Sequence, residues 1–166
     1  MITRLASGLV DRTVMKVKLN PDEITICQIL GRMRSLIARS AGVKDAKVGK
    51  QDGASADVLG VMAEYAFAKK YNTFPDLGLT PRSGSADGIL NGKRYDIKST
   101  TYKNGRLLST LKVNPDVDIY ILAIVGDLDV DFIGWASKEQ LVREENIINL
   151  GHGQGYALTQ DELTWF

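Results

Sequence analysis

The dipeptide Asn91-Gly92 constrains this chain more than any other feature, because it joins two short runs, residues 85–90 and 93–99, that read as strands. A two-residue type I′ turn needs positive φ at both central positions, which Asn and Gly accept and most residues do not. The turn therefore sets the register. With Leu90 opposite Lys93, Ile89 faces Arg94, Gly88 faces Tyr95 and Asp87 faces Asp96. Side chains alternate along a strand, so Lys98 shares a face with Asp96 and lies one diagonal step from Asp87. Tyr95 and Ile97 point to the other face, into a core.

Like charges opposed across two strands are destabilising, so this register calls for a cation between Asp87 and Asp96. Carboxylate oxygens, a main-chain carbonyl and waters are the donors that Mg2+ takes, and Mn2+ can replace it. A zinc cage of Cys and His is excluded, since the chain has one of each, Cys27 and His152. Lys98 beside such an ion has a clear use: an ammonium can orient a water or stabilise charge developing on phosphoryl oxygens. The same residues also read as a surface ribbon carrying ordinary solvated charges.

Two helices are expected before the hairpin. Asn20-Pro21-Asp22-Glu23 combines an N-cap, a proline at the first helical position and the glutamate of a capping box. Ile26, Leu30, Met33 and Ile37 then fall on one face as far as Gly42, with Cys27 on the apolar side. Residues 43–56 read as a loop. A second helix, from Ser55 or Asp57 to Tyr71, is apolar nearly all round and so buried. Glu64 is the only charged residue between Asp57 and Lys69, and burial of a lone carboxylate is costly. It needs either a structural partner such as an arginine or a role at a site.

After the hairpin, residues 118–125 form a continuous apolar run suited to a strand buried on both faces. Residues 130–136 read as another strand, residues 137–145 as a short helix, and Tyr156-Ala157-Leu158 as a last strand able to supply an edge of the same sheet. Gly151-His152-Gly153-Gln154-Gly155 reads as a loop, because no Walker lysine accompanies it.

At 166 residues, with 44% hydrophobic and 25% charged residues, the chain is expected to form one domain, residues 1–166. The longest apolar run is too short to span a bilayer, and the opening residues lack a signal-peptide core, so the reading is intracellular, cytoplasmic, with no membrane partner. Charge is uneven. Residues 1–56 carry ten Lys/Arg against five Asp/Glu, and residues 57–166 carry eleven against fifteen. Arg32, Arg34, Arg39, Lys44, Lys47 and Lys50 form either a surface for a polyanion or a solvated face.

Taken together, Glu64 on a helix, Asp87 entering a hairpin and Asp96-Ile97-Lys98 leaving it resemble the PD-(D/E)XK nuclease superfamily of restriction endonucleases, phage exonucleases and Holliday junction resolvases. The resemblance spans roughly residues 57–125, and Ala86 stands where the pattern often has proline. It implies an α/β protein: a restriction endonuclease-like core at 57–166, with a central mixed β-sheet flanked by helices, and a basic N-terminal helical extension at 1–56. It further implies that Asp87, Asp96 and the Ile97 carbonyl bind Mg2+, that Glu64 is a direct or water-mediated ligand, and that Lys98 is the catalytic lysine. The partner implied is DNA, contacted at its phosphates by Arg32, Arg34, Arg39, Arg82 and Lys103, and the setting a phage-type DNA-processing enzyme, endonuclease or exonuclease. Two alternatives accompany this reading: a junction-resolving endonuclease, which would need a homodimer, and a non-catalytic nucleic-acid-binding module on the same fold.

Overall fold

A computed structural model describes residues 12–44, 53–80 and 85–166. The readings made for Arg82, Lys47 and Lys50 lie outside these residues. The chain is mixed α/β. Its main sheet has the strand order β1 (Met15–Lys18), β6 (Asp129–Ser137), β5 (Ile119–Val125), β3 (Lys93–Thr100), β2 (Gly88–Leu90), and β9 (Thr164–Trp165) pairs with β6. Only β3 and β5 run parallel; the other pairs are antiparallel. Helices α1 (Pro21–Ser40) and α2 (Gly53–Lys70) share a hydrophobic core with one face of this sheet.

Alternation along β5 divides the interior in two. Ile121, Ala123 and Val125 join the core beneath the helices, whereas Tyr120 and Leu122 join a second core on the opposite face. The strand is buried on both sides, as the unbroken apolar run requires. The second core is closed by a separate three-stranded sheet in which β8 (Gln154–Leu158) lies between β4 (Leu107–Thr110) and β7 (Ile147–Asn149). The expectation that Tyr156–Leu158 would edge the main sheet is thus corrected: β8 is the centre of the smaller one. The helix expected at 137–145 is also shorter. Ser137 and Gln140 form a capping box for α3 (Lys138–Leu141), and the side chain of Asn146 then donates to the carbonyls of Gln140 and Leu141 at 2.8 and 2.9 Å. Those bonds satisfy helix-end carbonyls and stop the helix.

The first third of the described chain is not only helical. β1 pairs with β6, placing Val17 and, beyond the strand, Leu19 in the core. α1 begins at the expected capping box, with Asn20 Oδ1 accepting from Glu23 N–H and Glu23 Oε2 accepting from Asn20 N–H, both at 2.8 Å. Its buried face differs from the expected one. Cys27, Leu30, Gly31 and Ser35 are buried, while Ile26 and Met33 are exposed. The reason is close approach: a Cβ on Gly31 would stand 2.6 Å from Val58 Cα and 2.8 Å from Val58 N. Small residues at i, i+4 and i+8 let α2 come nearer than the larger side chains would. Burial pushes the Cys27 thiol up to about 11, so it packs as an apolar group.

Gly31→Ala is therefore expected to destabilise the fold by about 1–3 kcal/mol, because the colliding atoms are backbone and overpacking outweighs the ~1 kcal/mol gain in helix propensity. Urea unfolding monitored by circular dichroism checks this; a neutral or stabilised variant would contradict the close crossing.

Asp118 fixes where β5 starts beside β3. Its Oδ2 accepts from Arg94 N–H at 2.8 Å, and its own N–H donates to Arg94 O at 2.8 Å. The Arg94 N–H and then the guanidinium hold the Asp118 carboxyl below its ordinary value of 3.8. A depressed folded value means a stabilising contribution that is present above the unfolded value and lost as pH falls through the folded one. Asp118→Asn should accordingly lower stability at pH 7, and its stability should fall less than that of the unaltered chain below about pH 4. Denaturant midpoints at neutral and acid pH test both halves of that statement.

Candidate functional site

The hairpin has the register that the Asn91-Gly92 turn demands: Gly88 opposite Tyr95, Ile89 opposite Arg94 and Leu90 opposite Lys93. Asn91 and Gly92 have φ of 50° and 76°. Gly88 cannot be replaced freely, since a Cβ there would lie 2.3 Å from the Tyr95 hydroxyl oxygen and 2.5 Å from its ring. The tyrosine ring passes under the glycine and packs 4.7 Å from the Phe67 ring. Tyr95 and Ile97 are buried beneath α2, as expected, which turns Asp96 and Lys98 to the opposite face of β3.

Asp87 stands one residue beyond the ladder, so the expected direct opposition of Asp87 to Asp96 is corrected: the register ends at the Gly88–Tyr95 pair. The Asp87 N–H donates to Tyr95 O at 2.8 Å, and its Oδ2 accepts from Ile97 N–H at 2.7 Å, so the carboxylate reaches across onto β3. Lys98 Nζ lies 2.8 Å from Asp96 Oδ2, which is the same-face contact that strand alternation requires. Burial, reinforced by the charges of Glu64 and Asp96, pushes the Asp87 carboxyl up to about 8; the Ile97 N–H and the Lys98 charge oppose that shift. The same two causes act on Tyr95, whose hydroxyl is raised by burial and by the charges of Asp87 and Glu64.

Glu64 has the arginine partner that a charged residue on an apolar helix needs. Arg34 Nη1 donates to Glu64 Oε2 at 3.1 Å, with the side chains 17% and 20% exposed. Arg34 also donates from Nε to Gly78 O at 2.8 Å and from Nη2 to Asp76 O at 2.6 Å. It ties α1, α2 and the segment before the hairpin together. Arg34 is therefore corrected as a member of an outward basic surface: its guanidinium is turned inward and engaged. Its place was legible in part, because Arg34 follows Cys27 by seven residues and Leu30 by four, on the face that packs.

The remaining basic candidates are dispersed. Arg32 is exposed and lines a cavity of about 430 Å3 with Gln28, Ser55 and Thr101, just beyond the end of β3. Arg39 is exposed, with Nη1 donating to Val43 O at 2.7 Å, and Lys103 is exposed in the turn where Gly105 N–H donates to Tyr102 O at 2.9 Å. On the other side, Asp87 lines a concavity of about 610 Å3 with Asp76, Gly78, Thr80, Ile89 and Arg94.

Among the described residues no three acidic, His or Cys side chains stand close enough to enclose a metal ion. The acidic side chains around β3 offer oxygen donors only. Mg2+ commonly takes only one or two carboxylates and keeps several waters. Asp87 and Asp96 with the Ile97 main chain suit that demand, and Glu64, held by Arg34, is suited to a water-mediated contact.

Replacement of Asp87 by Asn keeps the shape and the acceptor for Ile97 N–H while removing an ionisable group whose charged form burial, Glu64 and Asp96 all disfavour in the folded state. Asp87→Asn is expected to stabilise the metal-free protein by about 1–3 kcal/mol at neutral pH. Urea unfolding in chelator measures it, and a loss of stability would show that the carboxylate charge is well accommodated.

No helix among the described residues is long and apolar enough to cross a membrane. No family model, curated protein or solved structure matches the chain.

Proposed function

We propose that this protein is a Mg2+-dependent nuclease that hydrolyses DNA phosphodiester bonds at Asp87, Asp96 and Lys98, on a restriction endonuclease-like core. The observation that carries the reading is the packing of the Asp87 carboxylate against β3 within the field of Glu64 and Asp96, with Lys98 bridged to Asp96 at 2.8 Å. Folding alone gains nothing from such a cluster, and functional sites are where locally unfavourable charge is kept.

In this reading Asp87, Asp96 and the Ile97 carbonyl would hold the ion. When bound, a divalent ion supplies Lewis acidity toward the phosphoryl oxygens and lowers the pKa of a water. Lys98, positioned by Asp96, orients the attacking water and stabilises negative charge as the new P–O bond forms and the ester P–O bond breaks, the leaving oxygen taking up a proton. Glu64 is positioned by Arg34 and adds to the negative field at Asp87. Arg32, Arg39 and Lys103 contact phosphates without reading sequence, and Arg82 stays among the proposed contacts.

A non-catalytic nucleic-acid-binding module is the second reading, favoured by the structural hold of Arg34 on Glu64. The deciding experiment is incubation with Mg2+ or Mn2+ of supercoiled plasmid, linear duplex, single strand and four-way junction. Cleavage of any of these supports the nuclease, and the preferred substrate assigns endonuclease, exonuclease or junction resolvase. Binding without cleavage of any substrate supports the module instead.

A further inference from the structure

The outer face of α1 carries a second apolar stripe that stays exposed to solvent. Ile26, Ile29, Met33 and Leu36 are 48%, 59%, 40% and 62% exposed. Their spacing of three, four and three residues is that of an a/d seam over two heptads, on the side of the helix away from the buried Cys27–Gly31–Ser35 ridge. Isolated exposed apolar residues are ordinary, but four in register along one helix form a continuous patch.

We propose that this stripe is the interface of a symmetric homodimer in which α1 packs antiparallel against α1 of a second copy. The pattern is self-complementary. With the two-fold axis crossing the exposed stripe midway between Ile29 and Met33, Ile26 meets Leu36 of the partner subunit and Ile29 meets Met33 of the partner subunit, so every apolar side chain of the stripe is covered by another. The ends complement each other as well. Asp22, exposed in the first turn, approaches Arg39 of the partner subunit, exposed near the last turn. Antiparallel alignment also sets the positive end of each helix dipole beside the negative end of its neighbour. A parallel pairing would instead set Asp22 against Asp22 of the partner subunit and align the dipoles, so the antiparallel arrangement is the one that the charges favour. The helix pair supplies the hydrophobic centre of a small isologous interface. This inference does not rest on the nuclease reading; in the dimer Arg39 is engaged by Asp22 of the partner subunit, which leaves Arg32 and Lys103 as the phosphate contacts of that reading among the described residues.

The test is sedimentation velocity of the full chain over a range of micromolar concentrations, with Ile29→Glu and Leu36→Glu beside the unaltered protein. These side chains are exposed, so both variants should unfold at the urea midpoint that the unaltered protein shows when it is dilute enough to be monomeric, which verifies that they fold. A concentration-dependent dimer whose dissociation constant rises about ten-fold or more in each variant is the expected result. A monomer at every concentration, or a dimer indifferent to both substitutions, overturns the proposal. Orientation has its own readout. Mixing Ile29→Cys with Met33→Cys chains under mild oxidation should cross-link unlike chains; cross-links between like chains would overturn the antiparallel arrangement.

Discussion

Phe67→Ala is expected to lower the stability of this protein by about 3–5 kcal/mol, enough to leave a small domain largely unfolded at modest denaturant. Phe67 is 1% exposed. Its ring lies 4.7 Å from Tyr71 and Tyr95, 5.3 Å from Phe132 and 6.4 Å from Phe166, so truncation empties the contact between α2 and three other parts of the fold. Neighbouring rings cannot close the space without leaving their own partners, and cost grows with the cavity left behind. Phe67→Leu, which retains much of the volume, should lose distinctly less. Urea unfolding with matched m-values measures the difference. Equal losses for the two variants would mean that the aromatic cluster is not what holds α2 on the sheet.

Lys98→Ala is expected to reduce the cleavage rate by about 10²–10³-fold while leaving stability nearly unchanged. The Lys98 side chain is 37% exposed and forms an ion pair with Asp96. Asp96 is 21% exposed and Lys98 reaches solvent, so the pair contributes modestly to folding, and the Asn91-Gly92 turn keeps the hairpin paired when the ammonium is removed. The chemistry is different. In the proposed site the ammonium acts where charge develops on the phosphoryl oxygens, and the loss should appear in kcat more than in KM. Lys98→Arg keeps the charge with another shape and should recover activity only in part. An alanine variant with unaltered kcat would remove Lys98 from the reaction.

Much of this arrangement was legible in the amino-acid sequence because it is local. The Asn91-Gly92 turn and the period of two fix the pairing of Gly88 with Tyr95 and the shared face of Asp96 and Lys98, with no tertiary information required. The Asn20/Glu23 capping box marks the start of α1 for the same reason. What escaped was decided by distant partners. β1 is four residues long, and its strand identity comes from its pairing with β6. α1 has two apolar stripes, and the periodicity of large residues cannot say that the stripe of small ones would pack; contact between Gly31 and Val58 decides that. β8 has the pattern of an edge or a central strand alike, and its position between β4 and β7 follows from the second core. At the candidate site, the need of Glu64 for a partner was legible, but its pairing with Arg34, thirty residues away, depends on how α1 crosses α2.

The Asp87→Asn prediction joins stability to the proposed function. A carboxylate that costs the metal-free fold and whose removal abolishes metal binding is what a site selected for chemistry should contain. Titration of Mn2+ into the unaltered protein and into this variant would show whether the two effects coincide.

Whether Asp87, Asp96 and Lys98 form a metal-dependent phosphodiesterase site is tested most directly by the initial rate of plasmid nicking in Mg2+ by the unaltered protein, Asp96→Ala and Lys98→Ala at matched folded concentrations. Such a site gives cleavage by the unaltered protein that stops in chelator, loss in both variants, and Mn2+ binding that survives in Lys98→Ala but not in Asp96→Ala. Cleavage that persists in both variants would contradict that assignment.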